Sequence, residues 1–95
     1  MSKYARKVDN NHLEIKLALI AAGYPVWDCS AYGRGCPDLL VMSKNCHYAF
    51  LEVKHAKGKL TSAEREFFAT FDGAPVYVVR SIDDALETMR QEDER

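Results

Sequence analysis

Asp38, Glu52 and Lys54 are the residues whose types and spacing could do chemistry in this chain. Asp38 opens one run of strand-forming residues, and Glu52 and Lys54 close a second, within CPDLLVMSKNCHYAFLEVKH. Lys44-Asn45 reads as the polar turn between the two runs. With the turn centred there or one residue later, Asp38 falls opposite Leu51 or Glu52. Either register brings the two carboxylates to neighbouring-pair distance, roughly 5–8 Å between side-chain roots. Alternation sets Glu52 and Lys54 on one face, with Leu51 and Val53 on the other. Two acids this close repel unless something positive intervenes, and a divalent cation is the strongest such partner. Mg²⁺ favours one or two carboxylates together with waters and phosphate oxygens. An ammonium alongside can orient a water nucleophile and offset charge developing on a phosphate. The pattern predicts a metal-centred hydrolytic site. The plainer alternative is an exposed salt bridge at a sheet end, which contributes little stability.

Other residues bear on that site. Within NHLEIKLALIAA, residues 11–22, only Glu14 and Lys16 are charged in an otherwise apolar helical pattern. Glu14 lies between Ala18 and Ala21, where small neighbours admit another element and leave a carboxylate in need of a partner. That makes Glu14 a candidate catalytic acid. Its rival role is a capping box with Asn11. Arg34, His55, Lys57 and Lys59 are candidates for contacts to phosphates on either side of a scissile bond, against the reading of a solvated surface. His12, His47 and His55 are not assigned as general bases.

These side chains need elements to hold them. Residues 11–22 predict a helix ended by Gly23 in a left-handed cap. VWDCSAY predicts a first strand, and GRG at 33–35 a flexible connection. Strands over about 38–43 and 47–54 follow, with Pro37 suited to a strand start. A basic loop, HAKGKL, leads to a helix from Thr61 to about Phe71 that buries Phe67, Phe68 and Phe71. PVYVV predicts a short buried strand, and Ser81 caps a last helix with Ala85, Leu86 and Met89 inward. The order α-β-β-β-α-β-α implies an α/β fold with a mixed central sheet flanked by helices.

The composition permits this and excludes other classes. Ninety-five residues make a single domain over 1–95, with 47% hydrophobic and 28% charged residues. No apolar run approaches the ~20 residues of a membrane helix, and MSKYARKVDNN does not read as a secretory leader. The expected location is intracellular, in the cytoplasm. Three cysteines without CxxC spacing fit reduced thiols, and zinc on Cys36, Cys46 and His47 lacks a fourth ligand. Net charge is −1, but residues 1–60 carry nine Lys and Arg against five Asp and Glu, while residues 61–95 carry four against nine. Nucleic-acid binding depends on where positive charge clusters as much as on the sum.

Pro37-Asp38, thirteen intervening residues, then Glu52-Val53-Lys54 resembles the PD-(D/E)XK nuclease signature. The wider pattern is similar to the VRR-NUC family, the virus-type replication-repair nucleases. It includes the first-helix acid, GRGCPDLLV, GKLTSAEREFF and VYVVRSIDDAL, covering about residues 11–89. The resemblance implies a restriction-endonuclease-like core and a metal-dependent DNA endonuclease. Mg²⁺ or Mn²⁺ would be held by Asp38, Glu52 and the Val53 backbone carbonyl. Lys54 would position or activate the attacking water, and Glu14 would act through the metal or its waters. The family usually carries Gln where this chain has Glu64. Because Thr61-x-x-Glu64 is also a capping box, any catalytic role of Glu64 stays open. The implied partners are branched DNA, such as Holliday junctions in DNA repair, and a second copy in a homodimer. No membrane and no organic cofactor are implied, and the origin would be bacterial or viral. Two alternatives stand beside this: a catalytically silent nucleic-acid-binding module of the same fold, and a protein-interaction domain.

Overall fold

The computed structural model describes residues 11–95, so the reading of the N-terminal segment as no leader falls outside the described residues. The element order is α1 His12–Ala21, β1 Val26–Asp28, β2 Leu39–Met42, β3 Tyr48–Val53, α2 Ser62–Thr70, β4 Val76–Val79 and α3 Ile82–Asp93. This is a small α/β fold, α-β-β-β-α-β-α, with a four-stranded mixed sheet in the order β1-β2-β3-β4. The first three strands are antiparallel, and β4 joins β3 in parallel through the α2 crossover. Among the described residues no helix is long and apolar enough to cross a membrane.

α1 stops in a Schellman turn: Gly23 sits at φ 95, its amide bonds the Ile20 carbonyl, and the Tyr24 amide bonds that of Leu19. At its other end Asn11 makes no side-chain cap, so the Asn11–Glu14 capping box is not formed. The Asn11 amide group instead donates to the carbonyls of Lys54 and Arg80. β1 is shorter than VWDCSAY suggests, because the Asp28 carboxylate takes the Ser30 amide and hydroxyl and turns the chain. The hairpin turn is three residues, Lys44-Asn45-Cys46, with Cys46 at φ 67 and the Ser43 amide bonding His47.

One sheet face carries the core. Ile15 and Leu19 of α1 and Ala85 and Met89 of α3 pack on Leu39, Val41, Ala49, Leu51, Val53 and Val79. On that side His12 and Lys16 of α1 both reach the Asp28 carboxylate, at 3.0 and 3.2 Å. The other face carries α2, whose Phe67 meets Phe50 edge-on. Phe71 corrects the expectation of burial: it is exposed, because it lies at the helix C-cap beyond the last residue over the sheet. β4 is likewise half-buried except for Val79, since it is an edge strand of the sheet.

Candidate active site

The pairing of Leu39 with Leu51, continued by one residue, sets Asp38 opposite Glu52. The longer three-residue turn chose this register over the one facing Leu51. Both acids are nearly removed from solvent, Asp38 at 4% and Glu52 at 1% exposure. Asp38 accepts the Val53 amide at 2.8 Å. That bond fixes the carboxylate against the β3 backbone beside the position of the Val53 carbonyl.

Glu52 sits in strain of an electrostatic kind. Burial, then the neighbouring Asp38 and Glu64 carboxylates, push its pKa up to about 9, and Lys54 only partly opposes them. Its Oε1 atom is buried and receives no hydrogen bond from a neighbouring donor, while the Glu64 carboxyl lies close enough to take a proton from Glu52. An orphaned carboxylate oxygen beside a second acid fits a hard cation, which would satisfy the lone pairs and relieve the repulsion. Among the described residues no group of three or more His, Cys, Asp or Glu side chains is placed to hold a metal ion. The side-chain donors are therefore a pair, a number that suits Mg²⁺ completed by a backbone carbonyl and waters.

Lys54 follows Glu52 on the same face. Its Nζ lies 3.5 Å from Glu52 and 2.9 Å from Glu64, with 12% of the side chain exposed. Glu64 has both roles open to it. Its Oε1 accepts the Thr61 amide while Thr61 Oγ1 accepts the Glu64 amide, a complete capping box, and the same Oε1 holds Lys54. Burial raises the Glu64 pKa, but the Thr61 amide and Lys54 outweigh it and hold the carboxyl below its ordinary value. Glu64 thus joins the cluster as the anchor of Lys54.

Glu14 does not join by contact. It is exposed, and it bonds none of the described residues. The predicted close approach of another element there is absent among the described residues, because the buried stripe of α1 runs through His12, Ile15 and Leu19 instead.

The basic residues flank the start of α2. Arg34 lies on the β1–β2 loop, and His55, Lys57 and Lys59 lie on the loop entering α2; all four are exposed. GRG is not the slack connection its glycines suggest. Gly33, Arg34 and Gly35 all have positive φ, at 68, 58 and 84, and Gly35 presses on the Ala63 backbone. A Cβ there would stand 2.3 Å from the Ala63 oxygen. Arg34 consequently borders a cavity of about 220 Å³ with Ala63, Glu66, Phe67, Thr70 and Phe71.

Two contributors escaped the sequence reading. Arg80 Nη1 donates to the carbonyls of His55 and Gly58, at 2.9 and 2.7 Å, and so clamps the basic loop. Asn11 ties the ends of β3 and β4 together. Their one visible signal is a polar residue directly beside a strand or helix end.

No family model, no curated protein and no solved structure matches the chain.

Proposed function

We propose that this protein is a metal-dependent endonuclease that hydrolyses phosphodiester bonds in DNA, with a restriction-endonuclease-like core akin to the VRR-NUC family. The observation that carries the reading is the buried pair Asp38 and Glu52 across the β2–β3 hairpin, with an unsatisfied Glu52 oxygen and the Lys54 ammonium beside it. Two neighbouring buried acids destabilise a fold unless a proton or a cation sits among them, and a metal site supplies the cation.

Asp38, Glu52 and the Val53 carbonyl would hold Mg²⁺ or Mn²⁺. When bound, the ion would polarise a phosphate oxygen and make water a better nucleophile. Val53 keeps Asp38 oriented through its amide. Lys54, steadied by Glu64, presents its ammonium where it can orient the attacking water and offset charge on the phosphate. The exposed side chains of Arg34, His55, Lys57 and Lys59 take the flanking phosphates. Glu14 could enter only through a water or a moved side chain, so it is the weakest member of the set.

Branched DNA, Holliday junctions among it, remains the proposed substrate, and a homodimer the proposed assembly. An exposed stripe of Leu13, Leu17 and Ile20 on α1 supports pairing. The Lys54–Glu64 pair, shorter than Lys54–Glu52, favours a second reading, a silent nucleic-acid-binding module whose lysine is held away from chemistry. Labelled junction, flap and duplex DNA incubated with Mg²⁺, Mn²⁺ or EDTA decide between them. Metal-dependent cutting that vanishes in Asp38→Ala and Glu52→Ala is expected; binding without cutting in either metal selects the silent module.

A further inference from the structure

Cys29 and Cys36 bracket the loop between β1 and β2. Two turns fold that loop back on itself. The Tyr32 amide donates to the Cys29 carbonyl and the Cys36 amide to the Gly33 carbonyl, each at 3.0 Å. Positive φ at Gly33, Arg34 and Gly35 winds the second turn, and Gly35 abuts the Ala63 backbone, so α2 backs the loop. The two side chains meet at its base: Cys36 lies within hydrogen-bonding reach of the Cys29 thiol. Both are thiols here, Cys29 buried at 5% exposure and Cys36 half-buried. Cys46 sits on the β2–β3 turn at the far end of the sheet, out of reach of either.

This pair flanks Asp38 on two sides. Across the ladder, the Cys29 amide donates to the Asp38 carbonyl at 2.7 Å. Along the chain, only Pro37 separates Cys36 from Asp38, and Pro37 is fully buried with its φ set by the ring. Little slack lies between the Cys36 sulfur and the Asp38 carboxylate.

We propose that Cys29 and Cys36 are a reversible dithiol–disulfide couple whose closure draws Asp38 off the Val53 amide and so switches the acid site. The effect on cutting rests on the phosphodiesterase reading; the couple and the movement of Asp38 do not. The oxidant is a low-molecular-weight disulfide such as glutathione disulfide. The Cys36 sulfur, the more accessible of the two, attacks it as the thiolate, forms a mixed disulfide and releases one small thiol. The Cys29 sulfur then attacks the Cys36 sulfur and expels the second. Two protein thiols and one small disulfide give one protein disulfide and two small thiols, the protein sulfurs oxidised and the reagent's reduced. Sulfurs in a disulfide stand about 2.05 Å apart, far closer than hydrogen-bonded thiols, so one side of the loop must move. Cys29 is the fixed side: its amide, carbonyl and thiol are bonded to Asp38, Tyr32 and Trp27 respectively. Cys36 is the side that gives, and it takes Pro37 and Asp38 with it.

The test uses the whole chain carrying Cys46→Ser, which leaves only the pair, equilibrated in glutathione buffers stepped from reduced to oxidised. Thiols are counted by alkylation and mass. The expected result is loss of both thiols in the monomer without a lasting glutathione adduct, reversed by dithiothreitol. Oxidation should speed exchange of the Val53 amide, whose acceptor is the Asp38 carboxylate, about tenfold while the Val41 amide stays protected. In Mg²⁺ the oxidised chain should cut DNA about a hundredfold more slowly than the reduced one, the cost of a small misplacement of a catalytic group. Cys36→Ser and Cys29→Ala should each exchange and cut alike in both buffers. Two thiols that persist across the series, or a glutathione adduct that never resolves, would overturn the couple. A disulfide that leaves Val53 exchange unaltered, or oxidised and reduced chains that cut equally well, would overturn the switch. Closure with faster Val53 exchange in a chain whose reduced form cuts nothing supports the couple and removes the nuclease. Cutting by a chain that forms no disulfide leaves the nuclease standing and removes the couple.

Discussion

The carboxylate of Asp38 accepts the backbone amide of Val53 at 2.8 Å, across the open end of the β2–β3 hairpin. The acid is thereby oriented by the strand that carries its partner Glu52. Asp38→Asn keeps an acceptor for that amide but loses the charge. It should leave circular dichroism and melting close to the parent while cutting falls about a thousandfold, ~4 kcal/mol of transition-state stabilisation. Single-turnover cleavage in Mg²⁺ measures it; an active Asp38→Asn protein would remove Asp38 from the site.

Glu52 makes the metal-free protein sensitive to alkali. Its folded pKa of about 9 lies above the ordinary ~4.3 of an unfolded glutamate. A raised pKa means the folded state holds the proton more tightly. Its stability contribution is therefore full below about pH 4 and is lost as pH rises through 9. Melting in EDTA should fall across that window, and Glu52→Gln should flatten the fall. Melting curves at stepped pH, with and without Mg²⁺, check it.

Lys54 and Glu64 are unequal partners in stability. Lys54→Met removes the ammonium 2.9 Å from the buried Glu64 carboxylate and should cost about 3–5 kcal/mol. Glu64→Gln should cost less, because glutamine can still complete the capping box with Thr61 and Lys54 keeps Glu52. Urea midpoints rank the two; the reverse order would place the stabilising weight on the cap.

Gly35 and Gly73 share a left-handed backbone but not their surroundings. At Gly73, φ 89, an added Cβ meets open space, and Gly73→Ala should cost about 1 kcal/mol of backbone strain. At Gly35 the same Cβ would collide with Ala63 backbone, so Gly35→Ala should cost well beyond that, roughly 3 kcal/mol or more. Chemical denaturation of the pair isolates the collision from the shared strain.

Arg80 holds the basic loop by two carbonyls. Arg80→Met should speed hydrogen exchange at Lys57 and Gly58 while leaving the core amides protected. It should also weaken DNA binding severalfold without touching the acids. A loop equally protected in the variant would show that the clamp is dispensable.

Much of this molecule was legible in local patterns. The element order, the Gly23 stop, the Thr61 and Ser81 caps and the period-two alternation of β3 are short-range properties, set by backbone sterics and neighbouring side chains. Asp38 and Glu52 could be paired in advance for the same reason, as a hairpin is a local structure. Its register could not, because Cys46 in a left-handed conformation lengthened the turn and chose Glu52 over Leu51. What only the tertiary structure decided is long-range. Packing sent the buried stripe of α1 through His12, Ile15 and Leu19 and left Glu14 in solvent. It brought Glu64 from α2 onto Lys54, pressed Gly35 against Ala63, and set Arg80 over a loop more than twenty residues away. No periodicity encodes these meetings, since they depend on which faces of separate elements are buried together.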